Sequence, residues 1–337
     1  MSFLSSVRRG FLVLAIACSA LLIPVAANAA TIVNGDFETG SLSGWQVFNS
    51  KSSCGNWFAY TGGTKTPISG FSFFPPPQGN WAALSDEHCA DTTILYQDVT
   101  LEPYWTHQLS MDLYYDSKAP IFVPSPNTLS VEGPEEPIII GEEEEFPPIN
   151  QQMRVDVMKP TAPLESVNPT DILATVFANK NGDSQTMSPT AFTADLTPFA
   201  GQVVRLRVAV AAGDFYFNGG IDAVSLTSTP PNNAITRGKV VLNKKKGTGK
   251  LTINVPGPGI LTAVSKGKKK TIKTVNLTAT AAGALKVPLN PTGAGRKALK
   301  NKGKLKAQLA VTFTPTGGLA NTQTYKVTLK KTVKKAS

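Results

Sequence analysis

Gln108-Leu109-Ser110-Met111-Asp112-Leu113-Tyr114-Tyr115 alternates polar and apolar side chains with a period of two. On an extended chain, Leu109, Met111, Leu113 and Tyr115 fall on one face, and Gln108, Ser110, Asp112 and Tyr114 on the other, because successive strand side chains point to opposite sides of a sheet. The pattern recurs further along. Met153, Val155 and Val157 alternate with Gln152, Arg154 and Asp156. Val204, Leu206, Val208 and Val210 form an apolar row, from which Arg205 and Arg207 are expected to point outward. Ile172 to Ala178 reads as a further strand, followed by an Asn181-Gly182 turn. Strands with one apolar face bury it against a second sheet, so a sandwich is expected.

The alternation returns near the C-terminus. Leu251, Ile253 and Val255 precede a Pro256-Gly257-Pro258-Gly259 turn, after which Ile260 to Val264 is expected to return as the hairpin partner. Val275 and Leu277 continue the pattern, as do Leu285, Val287 and Leu289. A short helix is expected within 293–301. Leu305, Ala307, Leu309, Val311 and Phe313 give the longest strand pattern, and Tyr325, Val327 and Leu329 close the series. About seven short strands in about 95 residues read as a small immunoglobulin-like sandwich.

Charge divides the chain at the same place as this second series. Residues 229–337 hold 23 Lys and Arg and no Asp or Glu, and all 23 acidic residues lie upstream. Val7-Arg8-Arg9, the apolar run from Phe11 to Ala26 and the small-x-small site Ala27-Asn28-Ala29 have the order of a secretory signal peptide, so 1–29 is read as a leader. Without its two arginines the first module carries eight basic residues against 23 acidic ones, a net −15, and the second carries +23. Such asymmetry separates modules with different partners, and it also sets up an attraction between them. Residues 229–236, rich in Pro and Asn, read as the linker. The second module is assigned to 237–331 and a basic tail to 332–337. Within the first module, Glu132 to Glu145 holds seven Glu in fourteen residues and reads as a solvated insertion.

Cys54 and Cys89 remain after the leader. An even count in an exported chain favours a disulfide, with two free or metal-bound thiols as the alternative. No later segment is apolar enough for a membrane span, so the mature chain is expected to be secreted, with cell-surface association open to it. Metalloprotease, nucleophile-elbow and phosphate-loop motifs are absent, and His88 and His107 are the only histidines. An enzyme is therefore not expected. A glycan hydrolase built on paired carboxylates is the alternative that needs no histidine.

Several segments of the first module belong together. Asn34-Gly35-Asp36-Phe37-Glu38, Gly44-Trp45, Gln78-Gly79-Asn80-Trp81, Leu95-Tyr96-Gln97-Asp98-Val99 and Ile221-Asp222-Ala223-Val224-Ser225-Leu226 resemble the exported galactose-binding-like jelly-roll modules, a class that includes many carbohydrate-binding modules. The resemblance covers about 31–228 and implies an all-β chain: a jelly-roll β-sandwich over 30–228, followed by the small immunoglobulin-like one. It also implies a structural calcium between the opening segment and the last strand, with Glu38 and Asp222 as carboxylate ligands and Asn34 and Asp36 as weaker ones. Capping of turns and strand ends by hydrogen bonds is the alternative role for these four. A polysaccharide is the implied ligand. All four Trp lie in this module, and Trp57 with Tyr60, or Tyr104 with Trp105, are the candidate sugar-stacking rings.

The second module, through the segments beginning at Lys244 and Leu299 and through Val327-Thr328-Leu329-Lys330-Lys331, resembles Lys-rich β-sandwich modules of actinobacterial exported proteins. An anionic cell-envelope polymer is the expected partner, against the alternative of a basic surface that confers solubility or docks on the acidic module. Nucleic acid is disfavoured, because Phe313 and Tyr325 are the module's only aromatic residues and no recognition helix is apparent. The functional expectation is a non-catalytic surface protein that binds a glycan, the alternative being a structural envelope protein that binds no sugar.

Overall fold

The computed structural model describes residues 31–51, 54–63, 65–132, 149–213 and 215–332, and the backbone of 138–140 and 143–145. The leader assigned to 1–29 and the tail beyond 332 lie outside the described residues. The first module contributes β1 (Gln46–Asn49), β2 (Gly55–Tyr60), β3 (Ala82–Glu87), β4 (Asp91–Thr100), β5 (Thr106–Ser117), β6 (Ile138–Ile140), β7 (Glu143–Glu145), β8 (Gln151–Met158), β9 (Ile172–Ala178), β10 (Thr186–Asp195), β11 (Val203–Ala212) and β12 (Phe217–Thr229). Two five-stranded sheets, in the orders β1-β4-β11-β8-β9 and β10-β5-β12-β3-β2, face each other. The acidic insertion forms a two-stranded hairpin of its own, β6 with β7.

The alternating rows meet between these sheets. Leu109, Met111, Leu113 and Tyr115 of β5 share one core with Met153, Val155 and Val157 of β8 and Val204, Leu206, Val208 and Val210 of β11. The opposite face of the first sheet is also covered. Ile94, Ala209 and Ala211 lie beneath Leu129 and Val131, with Leu164 and Val167 packed alongside. This second layer corrects the outward reading of Arg207. Its side chain does point away from the core, but it is fully buried under the 164–166 segment. Its Nη1 donates to the carbonyls of Leu164 and Ser166, and its Nη2 donates to Asp156 Oδ2 at 2.5 Å. Arg205, two residues earlier, lies beyond that cover. It makes a two-pronged pair with Asp98 at 2.7 and 2.9 Å and stacks over Tyr96.

The second module contributes β13 (Thr236–Asn243), β14 (Thr248–Val255), β15 (Gly259–Ser265), β16 (Val275–Ala279), β17 (Gly283–Leu289), helix α1 (Gly293–Lys302), β18 (Lys304–Pro315) and β19 (Asn321–Lys330). A three-stranded sheet, β13-β14-β17, packs on a four-stranded one, β16-β15-β18-β19, around a core that includes Leu251, Ile253, Leu261, Val311 and Phe313. The chain is thus all-β, with two sandwich-like sheet pairs. The expected hairpin between β14 and β15 does not form: β14 pairs with β13 and β17, whereas β15 pairs with β16 and β18. Pro256 and Pro258 lack the N–H groups that pairing across a tight turn would use, and the segment instead carries the chain from one sheet to the other. The helix is capped as its sequence suggests. Thr292 Oγ1 accepts from the Gly295 amide at 3.3 Å, and Gly303 ends the helix at a φ of 64°.

Candidate functional site

The opening segment and β12 do lie together, and the amide of Val224 donates to Gly35 O at 2.9 Å. Glu38 and Asp222 both grip the loop before β3 by its amides. Glu38 Oε1 accepts from Asn80 N at 2.7 Å and Trp81 N at 2.9 Å, and Asn80 Nδ2 reaches Oε2 at 3.4 Å. Asp222 Oδ2 accepts from Gln78 N at 3.1 Å, and Oδ1 from Ala223 N at 2.6 Å. Gly79 permits this approach: its φ is 60°, and a Cβ there would stand 2.2 Å from Glu38 Oε1. Asn34 bonds through its side chain to Ser41 O and Thr39, and Asp36 Oδ1 accepts from Glu38 N at 3.4 Å.

This arrangement caps turns and leaves no carboxylate oxygen of Glu38 or Asp222 without an N–H in reach. Among the described residues, no three His, Cys, Asp or Glu side chains converge as metal ligands. Amide donation holds the Glu38 carboxyl below its usual range. Burial, reinforced by the nearby charges of Asp112 and Glu38, pushes Asp222 up to about 6.

The candidate stacking rings do not meet on one surface. Trp57 is in the core at 2% exposure. Tyr60 is buried beside Phe73, within the 71–77 strap that also covers Tyr114. Trp105 is buried at the seam between the modules, where its Nε1 donates to Gly317 O at 2.8 Å. Tyr104 lies against the same glycine, yet it remains 66% exposed. Neither histidine joins a catalytic constellation. His107 is buried, with Nδ1 2.9 Å from Ser228 Oγ and Nε2 2.9 Å from Glu102 O, and His88 is exposed at the other end of β3. Cys54 and Cys89 form a disulfide with Cα atoms 5.1 Å apart, joining the start of β2 to the β3–β4 turn.

The most distinctive surface is on the second module. Every described Lys and Arg after residue 229 is exposed, and all the ion pairs among the described residues lie in the first module. Strand direction then concentrates the charge. At the end that meets the first module, 254–259, 279–284 and 313–322 contain no basic residue, and the start of β13 brings Arg237 alone. The far end gathers the β13–β14 turn with Lys244, Lys245 and Lys246, the 266–273 loop, α1 and the last residues of β19. Backbone bonds tie these pieces together: Thr292 N donates to Thr271 O, Lys331 N to Gly303 O, and Thr332 N to Lys244 O. The result is a basic pole. Composition revealed its charge, but not its bias toward one end.

No family model matches the chain, and no curated protein matches it. Solved structures similar to parts of it include the K3 cleaved adhesin domain of Lys-gingipain from Porphyromonas gingivalis, 13% identical over 58% of this chain and 98% of that one, with a TM-score of 0.34. The adhesin domain of Epf from Streptococcus pyogenes is 11% identical over 91% of this chain and 98% of that one, with a TM-score of 0.30. The glycoside hydrolase domain Endo-D from Streptococcus pneumoniae is 10% identical over 85% of this chain and 37% of that one, with a TM-score of 0.26.

Proposed function

We propose that this is an exported, non-catalytic surface protein that seats its basic pole on an anionic envelope polymer and holds the acidic module, read as a jelly roll, outward toward a glycan. The observation that carries this reading is the placement of the lysines. From Lys304 at the pole to Pro315 at the seam, β18 spans roughly 35 Å at about 3.3 Å per residue. Screening at physiological salt acts over about 8 Å, so the pole is several screening lengths from the seam. That separation argues against docking on the acidic module of the same molecule and favours an external polyanion. Phe313 is buried and Tyr325 half-buried, so the pole offers no exposed ring for stacking bases, which favours a phosphate-rich or uronic polymer over nucleic acid.

The test is retention of the full chain on anionic wall polymer and on neutral glycan, at about 50 and 200 mM salt. Strong retention on the anionic polymer, lost with salt and weakened when Arg296, Lys297, Lys300 and Lys302 are changed to Gln, is the expected result. Equal, salt-insensitive retention on both surfaces would overturn the anchor. A glycan array run with the same protein tests the outward module: specific binding supports the glycan reading, no binding leaves a structural envelope protein, and turnover of a bound polymer makes it a hydrolase.

A further inference from the structure

At the disulfide end of the first sandwich, four buried oxygens from both sheets have no hydrogen-bond partner among the described residues: Glu87 Oε2, Asp91 Oδ2, Thr93 Oγ1 and Asn49 Oδ1. Glu87, Asp91 and Thr93 are each 2% exposed or less. The partners these residues do have leave the same atoms over. Glu87 Oε1 accepts from Phe217 N at 2.6 Å, and Asp91 Oδ1 accepts from Ser50 Oγ, Lys51 N and Thr92 N at 2.6 to 2.8 Å.

Topology places the four together. Glu87 shares the inward parity of Ala83 on β3, and Asp91 and Thr93 share that of Leu95 on β4; Ala83 and Leu95 are both core residues. Asn49 is the register partner of Thr93, and Gly55 that of Glu87. A Cβ on Gly55 would stand 2.7 Å from Glu87 Cβ and 3.1 Å from Thr93 Cγ2, so Glu87 and Thr93 flank one spot from opposite sheets, and the glycine keeps it open. Ala212, the register partner of Asp91, lines a cavity of about 240 Å³ together with Glu87.

Two carboxylates, a hydroxyl and an amide carbonyl are an oxygen-only set, and among the described residues no basic side chain is paired with either carboxylate. Buried carboxylates demand a countercharge. Calcium takes six to eight oxygens in flexible geometry, whereas magnesium keeps most of its water and a strict octahedron. We propose that Glu87, Asp91, Thr93 and Asn49 bind a calcium ion at the Cys54–Cys89 end of the sandwich. This centre is separate from the Glu38–Asp222 pair, which holds the loop before β3, whereas Glu87 ends that strand.

The experiment uses the full chain, stripped with chelator and titrated with calcium to about 5 mM, with bound ion counted by equilibrium dialysis and the melting midpoint followed in parallel. Calcium, and magnesium at least tenfold less effectively, is expected to raise the midpoint. Glu87→Gln and Asp91→Asn should each abolish the rise and remove one bound ion, whereas Glu38→Gln and Asp222→Asn should keep both. Glu87→Gln is the more secure variant, because its amide oxygen can still accept from Phe217 N. If Asp91→Asn fails to fold, Glu87→Gln with ion counting decides the matter. No bound calcium in the wild type would overturn the proposal, with a proton on Glu87 then supplying the neutralisation. A rise that survives Glu87→Gln, or one lost only in the Glu38 and Asp222 variants, would overturn it as well.

Discussion

Arg207 and Arg205 occupy equivalent positions in the alternation of β11 but meet different surroundings. Arg207 sits with Arg154 on the two oxygens of Asp156, all three buried. Burial alone would raise the Asp156 carboxyl, but the two guanidinium groups hold it below its ordinary value. Removing one partner of such a group strands charge, so Arg207→Ala is expected to cost about 3 kcal/mol, the lower part of the usual range because Arg154 remains. Urea unfolding measures this, and a loss below about 1 kcal/mol would mean that the cluster is not held tightly. Asp222 has the opposite sign. Its folded carboxyl titrates at about 6, above the ordinary 3.8, so between those pH values the native state holds a proton that the unfolded chain has released. Its contribution is fully present below about pH 4 and is lost as the pH rises through 6. With chelator present, the wild-type midpoint should therefore gain more than that of Asp222→Asn when the pH is lowered from 7.5 to 4.5. Parallel profiles would show that Asp222 is not shifted.

At the scale of elements, the Cys54–Cys89 bond closes a loop across β2 and β3 with a sequence separation of 35. Chain entropy for a loop of that length gives about 3–4 kcal/mol, so replacing both cysteines with Ser should destabilise the first module by roughly that amount. Intact mass with and without reduction confirms the bond, and chemical denaturation gives the loss; an unchanged midpoint would show that the unfolded state is already constrained there. The strands were legible in the sequence because period two reports which side chains share a face. It does not report what lies over that face, which is why the cover on Arg207 was not foreseen. Nor does it report the partner of a strand. Pro256 to Gly259 has turn composition whether the chain doubles back or crosses to the other sheet, and only the pairing of β15 with β18 distinguishes the two. The clamp at Glu38 and Asp222 was legible as a meeting of two segments, but the acceptors there face amides of the 78–81 loop, whose position the sequence does not encode. The orphaned oxygens near Gly55 left no signal, because Asn49, Glu87, Asp91 and Thr93 follow no motif and meet only through the register of four strands.

At the scale of the molecule, two separate apolar clusters are joined by the short 230–235 connection and a narrow polar seam. Across the seam Trp105 Nε1 donates to Gly317 O and Tyr104 packs on the same glycine, while Asn233 of the connection bonds to the second module through its Nδ2 to Leu319 O at 2.9 Å and Asn321 Nδ2 to Asn233 O at 3.1 Å. One hydrogen bond and one ring contact between the modules are too little to couple the cores strongly, since a single bond contributes only about 1 kcal/mol net. Two thermal transitions are therefore expected. They are distinguishable because all four Trp are in the first module, so tryptophan emission follows that core, while calorimetry sees both. Salt should act on them unequally. The second module, 237–331, bears 21 Lys and Arg and no Asp or Glu, and at its pole these charges repel one another through water. Raising NaCl from about 20 to 300 mM shortens the screening length severalfold, from roughly 20 Å to under 6 Å. Relief of even about 1 kcal/mol of repulsion would lift the midpoint of a module this size by some 4–8 °C. The first module, whose net −15 is spread over about twice as many residues and partly offset by close ion pairs, should move less. A single transition followed equally by tryptophan and heat would show that the seam couples the cores. A second transition indifferent to salt would show that the lysines of the pole are too far apart, or too well hydrated, to act as one charged surface, and the anchoring role would lose its physical basis.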